Sequence, residues 1–472
     1  MIRKAAEMVP GIVPVSFLPR SAREAVCPSR LPFLLRRAQV STVSTDQGLI
    51  LNPETTVTTA GTVRDEPARN WPAAAEVAQS GSRWPLALAI GMLFLGALPD
   101  GLIAPLLNDL FVKRYGASVG AAHWFMAVNL IGAIAVVPIL SRLRGFLPPS
   151  VLLAGAAVVN GLLLAVMALP IGFAATIVLR VFEGAADLAM LAIIFDLLGK
   201  AGRDSRRGAR FGAAGTVLLF GLATGVTAGG FIGNHTPVLA FVAGAGACLV
   251  IAFVAIARHT AFDGLVRSCP VVGDLGTIRP KSKPLWPTLL MVGSDRAIAG
   301  VTATTVIFYF AQVLELSAAW RGGLLGVALM LIALGAWPAG MLADRVGHLR
   351  LRWISGFFYA GSLVLIPLAG SFGMPMLIVA LGIFGLSGAA LMPTSLTLAC
   401  ESGRGSVAMG AYHACGNVGY HLFGVGLAAV LLTIIGGAEP ATWVYHAILI
   451  GFAAAHLLLG TVSCLVLKRR GR

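Results

Sequence analysis

Stretches of about twenty apolar residues recur from Trp84 to the end of the chain, and this recurrence restricts the fold more than any other feature. Each run is long enough to cross ~30 Å of hydrocarbon as a helix. In that medium every backbone polar group must find its partner within the protein, so runs of this length mean helices. Hydrophobic residues make up 57% of the chain and charged ones only 12%, about half the charged share of a soluble domain. The class is an all-α, polytopic membrane protein.

Twelve spans are predicted, at 85–107, 120–141, 149–168, 172–198, 210–232, 237–257, 286–310, 320–342, 352–370, 374–397, 406–435 and 441–467. The longest internal connection, 258–285, holds Pro270, Pro280, Pro284 and five basic residues, and splits the spans six and six. The expected domains are a tail (1–83), a first half (84–257), a central cytoplasmic loop (258–285), and a second half with a short basic end (286–472). The tail is rich in Pro, Ser, Thr and Arg, with one short apolar patch, Leu31 to Leu35. It reads as a disordered cytoplasmic segment with no cleaved signal peptide. Two rival readings stand beside that one. Residues 1–40 carry seven basic residues against two acidic ones, as a transit peptide would, and the start codon could be assigned too far upstream.

Charge placement tests the span count independently. Of thirty-five Lys and Arg residues, ten lie in the tail, twenty in one set of alternate loops, three in the opposite set and two inside spans. Lys200, Arg203, Arg206, Arg207 and Arg210 crowd a single loop. By the positive-inside rule both termini are expected in the cytoplasm, with a bacterial cytoplasmic (inner) membrane as the setting. The net charge of +15 is thus a matter of membrane orientation, and no nucleic-acid partner is expected. Six cysteines show no metal or CxxC spacing and read as small packing residues.

A charged residue within a span costs a few kcal/mol unless it is paired or wet, which makes each one a functional candidate. Span 1 holds Asp100 between Pro99 and Pro105. In span 4, Arg180, Glu183, Gly184 and Asp187 fall on one helical face, so Arg180 is expected to reach both carboxylates. Span 7 carries Asp295 and Arg296, expected to pair with different neighbours because adjacent residues diverge by ~100°. Asp196 reads as a solvated helix end. Candidates for lining a substrate cavity are Trp124 and Asn129 in span 2, with His123 beside them, and Tyr309 in span 7. Span 11 adds a stripe of His413, Asn417 and His421, with Tyr420 alongside. Two histidines without a clustered acid make a poor metal site. His446 and His456 are expected to be peripheral. Phosphate loops and nucleophile triads do not occur, so neither an ATP-driven pump nor an enzyme is expected.

The loop between spans 8 and 9 reads Gly340-Met-Leu-Ala-Asp344-Arg345-Val-Gly347-His-Leu-Arg350. There a glycine permits close helix approach, Asp344 can cap or pair with a neighbouring helix end, and Arg345 and Arg350 sit among headgroups. The pattern resembles the cytoplasmic loop signature of the major facilitator superfamily of secondary transporters. Its first-half counterpart, Pro138 to Gly145 with Arg142 and Arg144, lacks the aspartate. Arg180 to Gly184 resembles the family's fourth-helix Arg-x-x-Gln-Gly, with Glu183 in place of glutamine. Gly221, Gly225, Gly229 and Gly230 match every glycine of the family's antiporter signature, while Val226 replaces its proline.

The resemblance implies two pseudo-symmetric six-helix bundles, the major facilitator fold, working by alternating access and similar to drug:proton antiporter-like exporters. It implies proton-coupled export of a small organic molecule, with a proton gradient in place of any cofactor. Asp100, Arg180, Glu183, Asp187, Asp295 and Arg296 are the coupling candidates. Gly340, Asp344, Arg345, Gly347 and Arg350 form the expected gate, with Asp344 braced near Arg210. The expected partners are the lipid bilayer and a small-molecule substrate, and the protein is expected to be a monomer. Uptake of a metabolite or anion, and a non-transporting role as sensor or assembly protein, are the competing readings.

Overall fold

The computed structural model describes residues 84–200, 207–267, 284–402, 405–437 and 439–470. The expected tail and most of the central loop lie outside them. The described residues contain helix, turns and no strand. Among the described residues ten helices are long and apolar enough to cross a membrane by length and composition. Two further expected spans are helical but fail that measure for visible reasons. Phe173–Lys200 carries Arg180, Glu183, Asp187 and Asp196. Span 7 is divided, running as Trp286–Val301, a π-helical turn Thr302–Val306, and Ile307–Gln312. Span 1 is broken in the same way: Trp84–Ile103 passes through Ala104–Leu106 into a π-helical turn, Asn108–Lys113.

Local chemistry sets the helix ends. Ser118 opens span 2 by accepting the Ala121 amide at 3.2 Å, and Ser317 opens span 8 by accepting that of Trp320 at 3.4 Å. Span 8 closes on Gly347, whose φ of +92° suits a residue without a Cβ. In the central loop, His259–Arg267 forms a helix, and its Asp263 accepts from the Ser150 amide (3.0 Å) and hydroxyl (2.9 Å). That pins the start of span 3.

Close packing rests on glycine. A Cβ at Gly221 or Gly225 would stand 2.5 or 2.7 Å from the Phe94 or Leu98 carbonyl oxygen, and one at Gly229 would strike that of Leu102. Span 5 therefore lies backbone to backbone on span 1. Gly230 faces the other way, with the Ala318 oxygen at 2.6 Å and Gly322 at 2.8 Å, both on span 8 of the second half. The second half repeats the device: Gly419 and Gly424 on span 11 meet the backbones of Gly293 and Ala297 on span 7.

The core shows where the halves join. One apolar cluster runs through both, from Leu102, Phe111 and Phe125 to Tyr309, Phe384 and Tyr445. Most of it lies between the mid-depth of the bundle and the short loops near 114–118 and 313–317. Toward the basic loops the core separates into a first-half cluster around Leu93, Leu153 and Ile194 and small second-half clusters around Tyr412 and Met291. The halves share one large core toward the short-loop face, while toward the basic face their clusters separate and contact narrows to places such as Gly215 against Met392.

Candidate functional site

The polar residues that the bilayer makes costly gather in two clusters. In the first, the wholly buried Arg180 binds Asp100 at 2.6 Å and pairs with Glu183 one turn further along its own helix. Its guanidinium also lies over the Phe125 ring, 4.8 Å from the centroid. Glu183 is buried, whereas the Asp100 side chain is 36% exposed. This corrects the sequence reading, in which Arg180 held Glu183 and Asp187. Asp187 instead accepts a long hydrogen bond, 3.5 Å, from Asn160 on span 3. The physical reason is reach: the guanidinium extends toward span 1, where Asp100 waits, and not further along its own helix.

In the second cluster Asp295 binds Arg352 of span 9 at 2.5 Å, with His456 of span 12 at 3.7 Å. Arg352 and His456 are both buried. Sequence reasoning missed both, counting Arg352 among the loop cations and His456 as peripheral. Arg352 opens the predicted span at 352–370, where a cation is inexpensive, and only the observed helix start at His348 sets it four residues inside. Asp295 and Arg296 do diverge as expected, but among the described residues only Asp295 has a counter-ion within ion-pair distance.

The expected cavity residues part company. Trp124 is 39% exposed, and its ring lies 3.8 Å from where a Cβ on Gly426 would stand. His413 and Asn417 are exposed. The His421 Nδ1–H donates to the Met126 carbonyl at 2.8 Å, across the seam between the halves. Tyr420 and His421 sit close enough to feel the charges of Asp100 and Arg180. Asn129 and Tyr309 line no cavity in this arrangement. Asn129 is buried against Gly184, where a Cβ would strike its backbone and side chain. Tyr309 is sealed in the shared core, donating to the Pro367 carbonyl at 3.3 Å with His446 at 3.4 Å. His446 is half-buried at the rim of that core, whereas His456, also expected to be peripheral, is buried.

The 8–9 loop is on the surface. Asp344 is 75% exposed and lies 3.5 Å from His348, the first residue of the next helix. Arg345 and Arg350 are exposed. The Arg210 side chain lies outside the described residues. Gly340 has only Pro393 near it, at an ordinary 3.8 Å, so no close approach depends on it. The polar pairs of the short-loop face were not foreseen. Asp109 pairs with the buried Arg321, Gln312 donates to Asn108 at 3.0 Å, and His123 meets Thr305 at 3.1 Å. No group of three or more His, Cys, Asp or Glu able to hold a metal occurs among the described residues.

Comparison with known proteins places this geometry. The chain matches the family model of the Major Facilitator Superfamily over residues 89–420. No curated protein matches it. Similar solved structures include a mutant of the peptide transporter POT, 16% identical with a TM-score of 0.64 over 82% of this chain and 95% of that one. A mutant of the nucleoside transporter NupG is 15% identical, with a TM-score of 0.59 over 81% and 99%. A bacterial homolog to the human lysosomal transporter Spinster, inward-facing and unoccupied, is 11% identical, with a TM-score of 0.62 over 83% and 97%. At such identities the likeness is one of fold. The family match covers most of the chain, and with ten membrane-length helices it makes this multi-pass membrane protein a member of the Major Facilitator Superfamily, a transporter and not an enzyme.

Proposed function

We propose that the chain exports a small organic molecule in exchange for protons, by alternating access about the polar region between its halves. The observation that carries this is Arg180, buried between a sealed carboxylate and an open one. Protonation of the open one, Asp100, removes one of the two negative charges holding Arg180. The guanidinium then shifts its weight to Glu183, and span 1 is freed from span 4. That couples a proton to a helix contact, as a proton-driven rocking cycle requires. Asp187 and Asp295 are secondary proton sites, and Asp344 with the exposed arginines of its loop acts at the basic-face gate. The protein works as a monomer in the bilayer.

A second reading is uptake by proton symport, because the glycine signature does not discriminate direction. The glycines matching the antiporter signature serve helix packing, and span 11 repeats that packing on span 7. They therefore carry little directional information.

The test uses proteoliposomes with a pH-sensitive dye inside and cationic, neutral and anionic solutes loaded in the lumen. Antiport acidifies the lumen as solute leaves, whereas symport makes it alkaline. Either change should vanish in Asp100→Asn and Arg180→Gln. Solute flux with no pH change, or coupling that survives both substitutions, would sink the proton role.

A further inference from the structure

Arg296 lies ten residues into the helix that begins at Trp286, about 15 Å along its axis. That is near the middle of ~30 Å of hydrocarbon, where a cation needs a partner or water. The adjacent carboxylate is taken: Asp295 binds Arg352 at 2.5 Å. Among the described residues no other carboxylate comes within ion-pair distance of Arg296, and none of its N–H groups is hydrogen-bonded. The side chain is only partly buried. Its stem runs beside Gly416, where a Cβ would stand 3.4 Å from Cγ and 3.8 Å from Nε. The glycine leaves it room.

The surroundings give this cation a direction. Its charge acts on Asp295 beside it, on Tyr359 of span 9, and on Tyr412, His413 and Tyr420 of span 11. Tyr420 also feels Asp100 and Arg180, so Arg296 faces the region shared by both halves. The second-half cluster holds two arginines against one carboxylate, and the first-half cluster one arginine against three. The polar region is therefore positive on the second-half side, and Arg296 supplies the excess. A guanidinium offers a planar fork of donors that fits a carboxylate or phosphate with two parallel hydrogen bonds.

We propose that Arg296 is the anion-binding residue of the transport site, and that the substrate is a small organic anion whose carboxylate or phosphate docks on its guanidinium. This rests on the transporter reading above and names its substrate class. His413 and Asn417, exposed on the facing helix, are the neighbouring donors for the remaining anion oxygens. Arg352, locked to Asp295, holds the adjacent carboxylate away so that Arg296 stays open.

Calorimetric titration of the full chain in phosphatidylcholine nanodiscs tests this with three probes of one shape: benzoate, phenyl phosphate and the uncharged benzamide. At least one acid should bind tenfold or more tightly than benzamide. Arg296→Gln should erase that preference, and Arg296→Lys should restore part of it, which separates loss of charge from loss of folding. A preference for phenyl phosphate over benzoate would mark the substrate as a phosphate ester, and the reverse as a carboxylate. Equal binding of acids and amide overturns the proposal. So does the absence of acid binding at millimolar concentration, or a preference that survives in a monodisperse Arg296→Gln protein. The dye assay keeps the two readings apart. Proton coupling to a cationic or neutral solute alone would reject the anion site and keep the antiporter, while anion binding without proton movement would do the opposite.

Discussion

Asp109 on span 1 and Arg321 on span 8 form an ion pair that ties the two halves together at the short-loop face. Arg321 is buried, and its Nε and Nη1 have no other partner, so Asp109 is its principal counter-charge. Lys113 also approaches Asp109, at 2.9 Å, but is largely exposed and contributes little. Asp109→Asn should therefore leave a buried cation uncompensated in the closed arrangement, at a cost of roughly 3–5 kcal/mol. The population should move toward forms parted at this face. Spin labels on Ala117→Cys and Glu439→Cys, one in each half, should report a longer distance in the variant. An unchanged distance distribution would mean that the pair does not hold the face shut.

The pair Asp295–Arg352 makes a different prediction, about stability. Arg352→Met strands a mid-membrane carboxylate and should lower the thermal stability of the solubilised protein, by an amount on the order of 3–5 kcal/mol. Adding Asp295→Asn removes the stranded charge and should recover most of that loss, because the residues act as a unit. Additive losses in the double variant would show that the two side chains do not depend on each other.

The contrast between these pairs explains how much the sequence could tell. Apolar run lengths reported the helices directly, since a span must satisfy its own backbone whatever its neighbours are. Asp100, Arg180 and Asp295 stood out because charge is costly inside a span. Their partners did not stand out. Arg321 and Arg352 lie near helix ends, where a cation is cheap and common, and only the crossing of helices turns them inward. Arg180 could be assigned a face but not a partner, for helical spacing relates residues of one helix and is silent about Asp100, eighty positions away. Gly347 was expected only as part of the gate, and its positive φ, which ends span 8, was not read from the sequence. Gly340 was over-read, because a shared motif does not say which of its glycines is pressed against another helix.

The glycines yield a paired test. A methyl at Gly229 would strike the Leu102 carbonyl, and one at Gly230 would stand 2.6 Å from that of Ala318. Neither backbone can yield without moving a helix, so Gly229→Ala and Gly230→Ala should each destabilise by about 1–3 kcal/mol and lower transport severalfold. Gly340→Ala, with its nearest neighbour at 3.8 Å, should retain stability and flux. Thermal unfolding and flux on the same preparations decide it. Equal tolerance at all three positions would remove the packing account of the span 5 glycines.

The sharpest expectation follows from combining an anionic substrate with proton exchange. One proton entering as one monoanion leaves moves two positive charges inward per cycle. Each charge contributes about 2.3 kcal/mol per 100 mV of membrane potential. At about 1.36 kcal/mol per decade, a 60 mV change should alter the limiting concentration ratio roughly 100-fold. Proteoliposomes loaded with benzoate, a monoanion, their potential clamped by a potassium gradient with valinomycin, would measure this directly. Antiport of a neutral solute moves one charge, giving roughly tenfold for the same step. Symport of a monoanion with one proton moves none, so its ratio would ignore the clamp. The slope against potential therefore separates export of an anion from export of a neutral molecule and from uptake. A slope of zero would reject the exchange of a proton for an anion, while leaving the anion contact at Arg296 to be judged by binding alone.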